Sequence, residues 1–315
     1  MASWAEGHGW AEGPVGWAEL RGAATIYEDD TALVLNKPAG ISVMGERHGT
    51  DLVRMAQEAG ETLYPVHRID KATSGAILFA KELRYHGDLT RQFNRRTVGK
   101  AYLAITRSTG LPERGTIDLP LTVGRKNRVR VAGNRADIVL DERSSTWSVT
   151  CAEPRDTKSY PSVTRFVRLW ADAKNTLLAI SPLTGRRHQI RVHLAWIGHP
   201  ILGDPLFDSA SAPTGERTYL HSWRLAFDSA APDVGPVRVV ALPGPDFWAP
   251  VRDRLPDDLA VRLEHAEQLA APRIMPVSLD GGANAGGAGG RGDATPPARR
   301  PRYRPTRRRD KRSRH

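Results

Sequence analysis

The feature that most constrains this chain is the stretch from Tyr64 to Lys81, YPVHRIDKATSGAILFAK. Its second half, Gly75 to Ala80, is apolar without a break and stops at Lys81. A strand reads this way when both of its faces are covered, so the rest of the chain must supply layers on two sides of a sheet. The first half is different material, with His67, Arg68, Asp70, Lys71, Thr73 and Ser74 crowded just ahead of Gly75. A polar turn feeding a buried strand is a place where a rigid scaffold can hold one acid at the edge of a cleft. Asp70 is flanked by Arg68 and Lys71, whose charges favour its ionised form. From this segment alone, an ion-paired turn that only caps the strand accounts for the residues equally well.

Flanking segments read as further strands and short helices of an α/β domain. Ala32 to Leu35 predicts a short strand, halted by the Pro38–Gly40 turn, and Ile41 to Val43 resumes an extended run. Asp51 to Ala59 and Glu82 to Asn94 predict helices. Lys100 to Thr106 alternates cleanly, with Ala101, Leu103 and Ile105 on one face and Lys100, Tyr102 and Ala104 on the other. Gly115 to Val131 predicts a basic hairpin carrying Arg125, Lys126, Arg128 and Arg130, and residues 133 to 156 an irregular insertion. Ser162 to Leu169, Thr176 to Ile180 and Thr218 to Phe227 predict strands. Gly185 to Ile197 predicts a helix with a buried stripe of Ile190, His193, Leu194 and Ile197, stopped by Gly198. On that helix Arg187 and Arg191, four apart, would share a flank and reach into a cleft. Glu264 to Ala271 predicts a last helix.

The ends of the chain are of other composition. Residues 1 to 22 hold an imperfect repeat at Trp4, Trp10 and Trp17, expected to be an extension whose indoles fill surface grooves. Residues 23 to 271 form the expected catalytic domain, and 272 to 315 a disordered Gly/Pro/Arg-rich tail. Of the formal charge of +11, a net +9 sits in Arg299 to His315 alone. Such a tail binds polyanions through counterion release with little sequence preference. Cys151 is the only cysteine, so neither an internal disulfide nor a thiolate metal site is available. With no basic-then-apolar leader and no run near the ~20 apolar residues that span a bilayer, a cytoplasmic location without membrane contact is expected.

Several chemistries find no support. There is no glycine-rich phosphate loop after a strand, and Ser74 lacks the frame of a hydrolase nucleophile. His188 and His193 are five apart rather than four, without an acidic or Cys partner, so His193 reads as a core histidine and no metal is expected. What remains is one acid, one phenol and several arginines. Asp70 suits nucleophilic or electrostatic work at an electron-poor sugar carbon. Tyr102 can stack on a base and exchange a proton, or fill a core; spacing leaves both open. Arg191 can pair with Asp70 across a dry pocket, or point to solvent.

At this point the motifs resemble one family. Asn36-Lys37-Pro38-Ala39-Gly40, His67-Arg68-Ile69-Asp70 with Thr73-Ser74-Gly75, and Lys100-Ala101-Tyr102 occur in order. Gly185 to Leu194 (GRRHQIRVHL), Gly198 to Asp204 (GHPILGD) and Leu220-His221-Ser222 complete the series. Together they are similar to the RluA-type pseudouridine synthases over roughly residues 25 to 250. The resemblance implies a mixed, mostly antiparallel central sheet with flanking helices and an RNA-binding cleft. It implies cofactor-free isomerisation of uridine to pseudouridine in structured RNA, ribosomal or transfer. It makes Asp70 the catalytic aspartate, Tyr102 the tyrosine beneath the base and Arg191 the partner of the aspartate. Arg68 matches the residue that occupies the gap left by the flipped nucleotide, and Lys37, His67, Lys100 and Arg187 join it as expected RNA contacts. Departures from the family pattern are the absence of an S4-type module in the first 22 residues, the 133 to 156 insertion, and the arginine tail; the family's basic residue after the insertion is matched at best by Lys158. The missing module favours transfer RNA or a small stem-loop, and a monomer is expected. A catalytically silent RNA-binding or chaperone protein on the same fold is the rival from another class. A nucleoside or glycoside hydrolase would usually need a second carboxylate.

Overall fold

Burial on both faces, foreshadowed by the apolar run, sets the architecture. The computed structural model describes residues 16–46, 51–107, 109–124, 128–150, 158–208 and 217–266. Its first half comprises α1 (Trp17–Ala24), β1 (Thr25–Glu28), β2 (Ala32–Lys37), α2 (Leu52–Glu58), β3 (Tyr64–Pro65), β4 (Ser74–Ala80), α3 (Leu83–Arg95) and β5 (Gly99–Thr106). There follow β6 (Arg114–Asp118), β7 (Leu121–Val123), β8 (Val129–Val131), β9 (Ile138–Asp141), β10 (Thr146–Val149) and β11 (Ser159–Tyr160). The chain closes with β12 (Val163–Ala171), β13 (Thr176–Pro182), α4 (Gln189–Trp196), β14 (Leu220–Asp228), β15 (Pro236–Val240), α5 (Pro245–Trp248) and α6 (Leu259–His265).

The main sheet runs β1-β2-β4-β14-β5-β13-β12-β6-β10-β9, with β15 on β14 and β3 on β4. Its pairings are antiparallel except β14 with β4 and β10 with β6, so it is the mixed, mostly antiparallel sheet expected. Period-two alternation explains why β4 is apolar throughout. Ile77 and Phe79 face a cluster that holds Trp17 and Leu20 of α1 and Leu52 and Ala56 of α2. Ala76, Leu78 and Ala80 face the opposite cluster, which holds Leu89 of α3. Each such side chain, removed from water, contributes about 1.5–3 kcal/mol. β5 divides in the same way, with Ala101, Leu103 and Ile105 against Phe247 and Trp248 of α5 and Ala104 against Ile190 and Leu194 of α4.

Some local expectations needed revision. Residues 133 to 150 are not irregular: β9 and β10 form a hairpin that extends the main sheet, and Trp147 is buried against Phe166. Thr146-Trp147-Ser148-Val149 carries the alternation that signals this. The last helix begins at Leu259, five residues before the position periodicity indicated, because Leu259 packs into the core beside Phe247 and Trp248. Ile41 to Val43 does not form a strand; Ser42 makes an isolated bridge with Asp51. Trp17 belongs to a helix and donates its indole N–H to Glu61 at 2.7 Å. Trp4, Trp10, Arg125, Lys126, Cys151 and the 272 to 315 tail lie outside the described residues.

The backbones approach closely at the parallel seam between β4 and β14. Gly75 pairs with Ser222 there at φ +106, and a β-carbon on it would lie 2.6 Å from the Ser222 nitrogen. Left-handed strain and a displaced strand then add together. Gly75→Ala is expected to lower the unfolding free energy by at least ~3 kcal/mol, read as a drop in the urea midpoint. A midpoint within error of the parent would contradict that close approach.

Candidate active site

The Asp70 turn is fixed by the backbone around it. Thr73 N–H closes the turn on the Asp70 carbonyl at 3.0 Å, Gly40 N–H donates to the Lys71 carbonyl at 2.9 Å, and Thr218 N–H donates to the Ala72 carbonyl at 3.2 Å. Beneath it lies Lys37, which is fully buried. Its Nζ donates to the carbonyls of Pro38 and Ile41, each at 2.7 Å, and of Lys71 at 3.2 Å. Burial pushes this amine down to about 7, with Asp70 acting the other way and Arg217 lowering it further. The expected RNA contact at Lys37 is therefore corrected: three irregular loop carbonyls need a donor, and the lysine serves them from inside the protein.

Asp70 meets Arg191 across 121 residues of sequence, Nη1 donating to Oδ2 at 2.6 Å. Arg191 turns its remaining edge to Asp204, with Nε to Oδ2 and Nη2 to Oδ1 both at 2.7 Å. This fork-on-fork pair is the strong geometry for a guanidinium and a carboxylate. Asp204 is fully buried and also accepts the backbone N–H groups of Leu206 and Phe207. Burial acts to lower the Arg191 pKa, yet the bonds and charges of Asp204 and Asp70 outweigh it and the net shift is upward. Arg191 is thus a permanent buried cation held by Asp204 and offered to Asp70.

The placement of Arg191 depends on where α4 starts. The helix begins at Gln189 rather than Gly185, because His188 adopts φ 55 and breaks the pattern. Gln189 then closes the entry, accepting from Thr184 Oγ1 at 2.6 Å and donating to the Val163 carbonyl at 3.0 Å. Arg187 consequently precedes the helix and does not share a flank with Arg191; it is exposed at the mouth of the cleft. His193 is a core residue, its ring nitrogens engaged by Thr164 Oγ1 and the Leu119 carbonyl at 2.9 Å each, and burial brings it down to about 4. Gly198, at φ +93, supplies the left-handed residue just past the helix.

Tyr102 sits on β5 directly opposite Ser222 of β14, and their hydroxyls are hydrogen-bonded. Burial raises the phenol to about 12, Ser222 opposes this and Asp70 adds to it, so the ring stays protonated and neutral at ordinary pH.

Asp70, Tyr102 and Arg191 line one cleft of about 640 Å³, within the ~300–1,000 Å³ usual for ligand sites. One wall is the end of α3, with Phe93, Asn94 and Arg96; the other is the Thr184 to His188 loop. His67 lies between them, stacked on Phe93 at 4.5 Å and accepting the Leu78 N–H at 3.1 Å; burial brings its ring down to about 3, so it is neutral. Lys100 reaches toward Phe93, its Nζ 5.9 Å from the ring centre. Arg68 is exposed at the rim. Residues that sequence reading did not assign to the site also line it: Arg96, Arg186 stacked over Tyr160 at 4.9 Å, and His188, whose Nε2 lies 3.5 Å from Asp70 Oδ1; Asp204 stands behind Arg191. The cleft combines a carboxylate, a paired buried cation, a neutral phenol and a basic rim, an arrangement suited to a flat neutral ring attached to a polyanion.

A family model described as RNA pseudouridylate synthase matches residues 31–196. A Vibrio cholerae protein named ribosomal large subunit pseudouridine synthase C is 38% identical over 215 residues, 64% of this chain and 60% of that one. The chain thus spans less than two thirds of the length of that relative. A Nitrosomonas europaea ribosomal large subunit pseudouridine synthase D is 32% identical across 78% of this chain and 65% of its own length. A Pasteurella multocida tRNA pseudouridine synthase C is 34% identical across 64% of this chain and 84% of its own length. Among solved structures, human RNA pseudouridylate synthase domain containing 4 superposes with a TM-score of 0.56 at 22% identity, covering 79% of this chain and 95% of that one, which bears on the fold. With the family model spanning more than half of the sequence, this chain belongs to the RNA pseudouridylate synthase family.

Proposed function

We propose that this protein isomerises uridine to pseudouridine in a structured RNA. The observation that carries the reading is the Asp70–Arg191–Asp204 chain at the floor of a cleft that Tyr102 also lines. The reaction breaks the bond from C1′ to N1, turns the uracil and joins C1′ to C5; the C5 hydrogen leaves to solvent and N1 gains one. A base within a stack cannot turn, so it is first extruded, at about a few kcal/mol. Arg68 at the rim is placed to fill the vacancy and offset part of that. In the cleft Tyr102 offers a neutral aromatic face to the base, and Asp70 supplies the one carboxylate among the described lining residues. Asp204, spent on Arg191 and fully buried, is not available as the second acid that glycosidic hydrolysis usually requires. Lys100, Arg187 and His67 at the cleft, with Arg96 and Arg186 beside them, suit the flanking phosphates and sugars. The names of the relatives favour a ribosomal or transfer RNA substrate. With one cysteine and no disulfide to maintain, a cytoplasmic monomer is part of the same reading.

The test is nucleoside analysis of RNA after incubation with the protein, together with tritium release from 5-tritiated uridine. Pseudouridine with retained RNA mass supports isomerisation; free uracil would make the protein a hydrolase, and unchanged RNA a silent binder. The arginine tail is proposed to add sequence-tolerant affinity. Deleting residues 291 to 315 is expected to flatten the log–log salt dependence of RNA binding by about one unit per phosphate contact removed. Single-turnover chemistry at saturating RNA should persist. An unchanged slope would overturn the proposed role of the tail.

A further inference from the structure

The two oxygens of Asp70 are not held alike. Arg191 commits Nε and Nη2 to Asp204, which leaves Nη1 alone for Asp70, on Oδ2. One such bond sets a distance but allows the carboxyl group to swing about Cβ–Cγ, a torsion that is broad in any case. The other oxygen, Oδ1, faces Nε2 of His188 at 3.5 Å.

His188 is itself held under strain. It has φ 55 and ψ 17 at the entry to α4, without a side-chain capping bond of its own. A residue with a β-carbon is strained there where glycine is not, and such strain persists when the surroundings over-determine it, most often at functional sites. Its ring stands edge-on to Phe207 at 5.9 Å, and the Arg191 guanidinium lies 5.4 Å from the centre of the same ring. One aromatic side chain therefore braces both partners of the Asp70 carboxylate.

We propose that His188 is a positioning residue, its neutral imidazole directing Nε2–H at Asp70 Oδ1 and so setting the carboxylate rotation that Arg191 leaves open. This rests on the proposed uridine isomerisation and deepens it. At 3.5 Å the contact is longer than a formed bond, and it closes when a nucleotide fills the cleft. The charged groups around the ring are Asp70 from the turn before β4, Asp204 from the turn after α4, and Arg187 and Arg191 from its own segment. Burial lowers its pKa most, Asp70 pulls it up, and Arg191 and Arg187 lower it again, so the ring is neutral near pH 7. Protonation on acidification puts a full cation against Oδ1, opposite Arg191, and weakens the carboxylate as a base or nucleophile.

The test combines two variants with a substrate-free measurement. His188→Gly relieves the strained backbone, so its Tm is expected to equal or exceed that of the parent. Its single-turnover rate should nevertheless fall by ~10–100-fold with KM changed less than ~3-fold, as misplacement of a reacting group does. His188→Gln keeps an N–H at similar reach and is expected to recover at least ~3-fold of that loss while losing the acid limb of the pH–rate profile. In parallel, NMR titration of the His188 ring should show its pKa falling when Asp70→Asn removes the facing charge. A parental rate in His188→Gly, or a His188 pKa unmoved by Asp70→Asn, would overturn the proposal. So would a lowered Tm with equal loss of rate in both variants, which marks a merely structural residue. The titration needs no RNA, so if the parent forms no pseudouridine the functional reading fails while the pairing is still decided.

Discussion

Asp70→Asn is expected to leave the protein folded and bound to RNA, and to abolish pseudouridine formation. The contrast comes from how the Arg191 charge is shared. The Asp70 side chain retains 21% exposure and has a single bond from Arg191, whereas Asp204 holds the guanidinium by two bonds at full burial. With Asp204 in place, Arg191 is still paired when Asp70 becomes an amide, so stability should change by no more than ~1 kcal/mol. Chemistry has no such reserve. An amide oxygen neither attacks a sugar carbon nor removes a proton, and among the described residues no other carboxylate lines the cleft. Tritium release in single turnover should fall at least ~10⁴-fold, the upper range for a positioned acid–base group, with Kd for RNA within ~3-fold. Activity equal to the parent would remove Asp70 from the reaction, and with it the proposed function.

What sequence reading reached and missed follows from the range of the interactions. The β4 and β5 strands were legible because alternation and unbroken apolarity are local signals, and the two faces of each strand pack into different clusters. The meeting of Asp70, Tyr102 and Arg191 in one cleft has no local signal and was reached through ordered motifs. Lys37 reads as part of a solvated Pro-Gly turn, since nothing nearby in sequence announces that three loop carbonyls will need a buried donor. The start of α4 was misplaced because Gly185 to Arg187 continue a helical pattern, and periodicity does not encode the left-handed turn at His188. In sequence Asp204 reads as part of a turn that shapes the cleft. It does accept two backbone N–H groups as turn aspartates do, and that common reading hides its second task.

That second task makes Asp204→Asn more damaging to stability than Asp70→Asn, although Asp204 faces away from any nucleotide. Its carboxylate is the bidentate partner of a guanidinium whose side chain is only 5% exposed. Removing one member of such a buried pair leaves a charge without full compensation, typically a loss of ~3–5 kcal/mol. The remaining charge of Asp70 cannot replace it without turning Arg191 and dragging the catalytic carboxylate along. Stability and rate should therefore fall together: a urea midpoint reduced by an amount matching ~3 kcal/mol or more, and single-turnover pseudouridine formation down ~10²-fold or more in the fraction still folded. A double-mutant cycle separates this from a simple packing defect. Adding Arg191→Met to Asp204→Asn removes the stranded cation, so the pair should be more stable than the sum of the single losses by at least ~1–2 kcal/mol, while activity is not restored. Strict additivity of the two stability losses would mean that Asp204 and Arg191 do not support one another, and that Asp70 is oriented by other means.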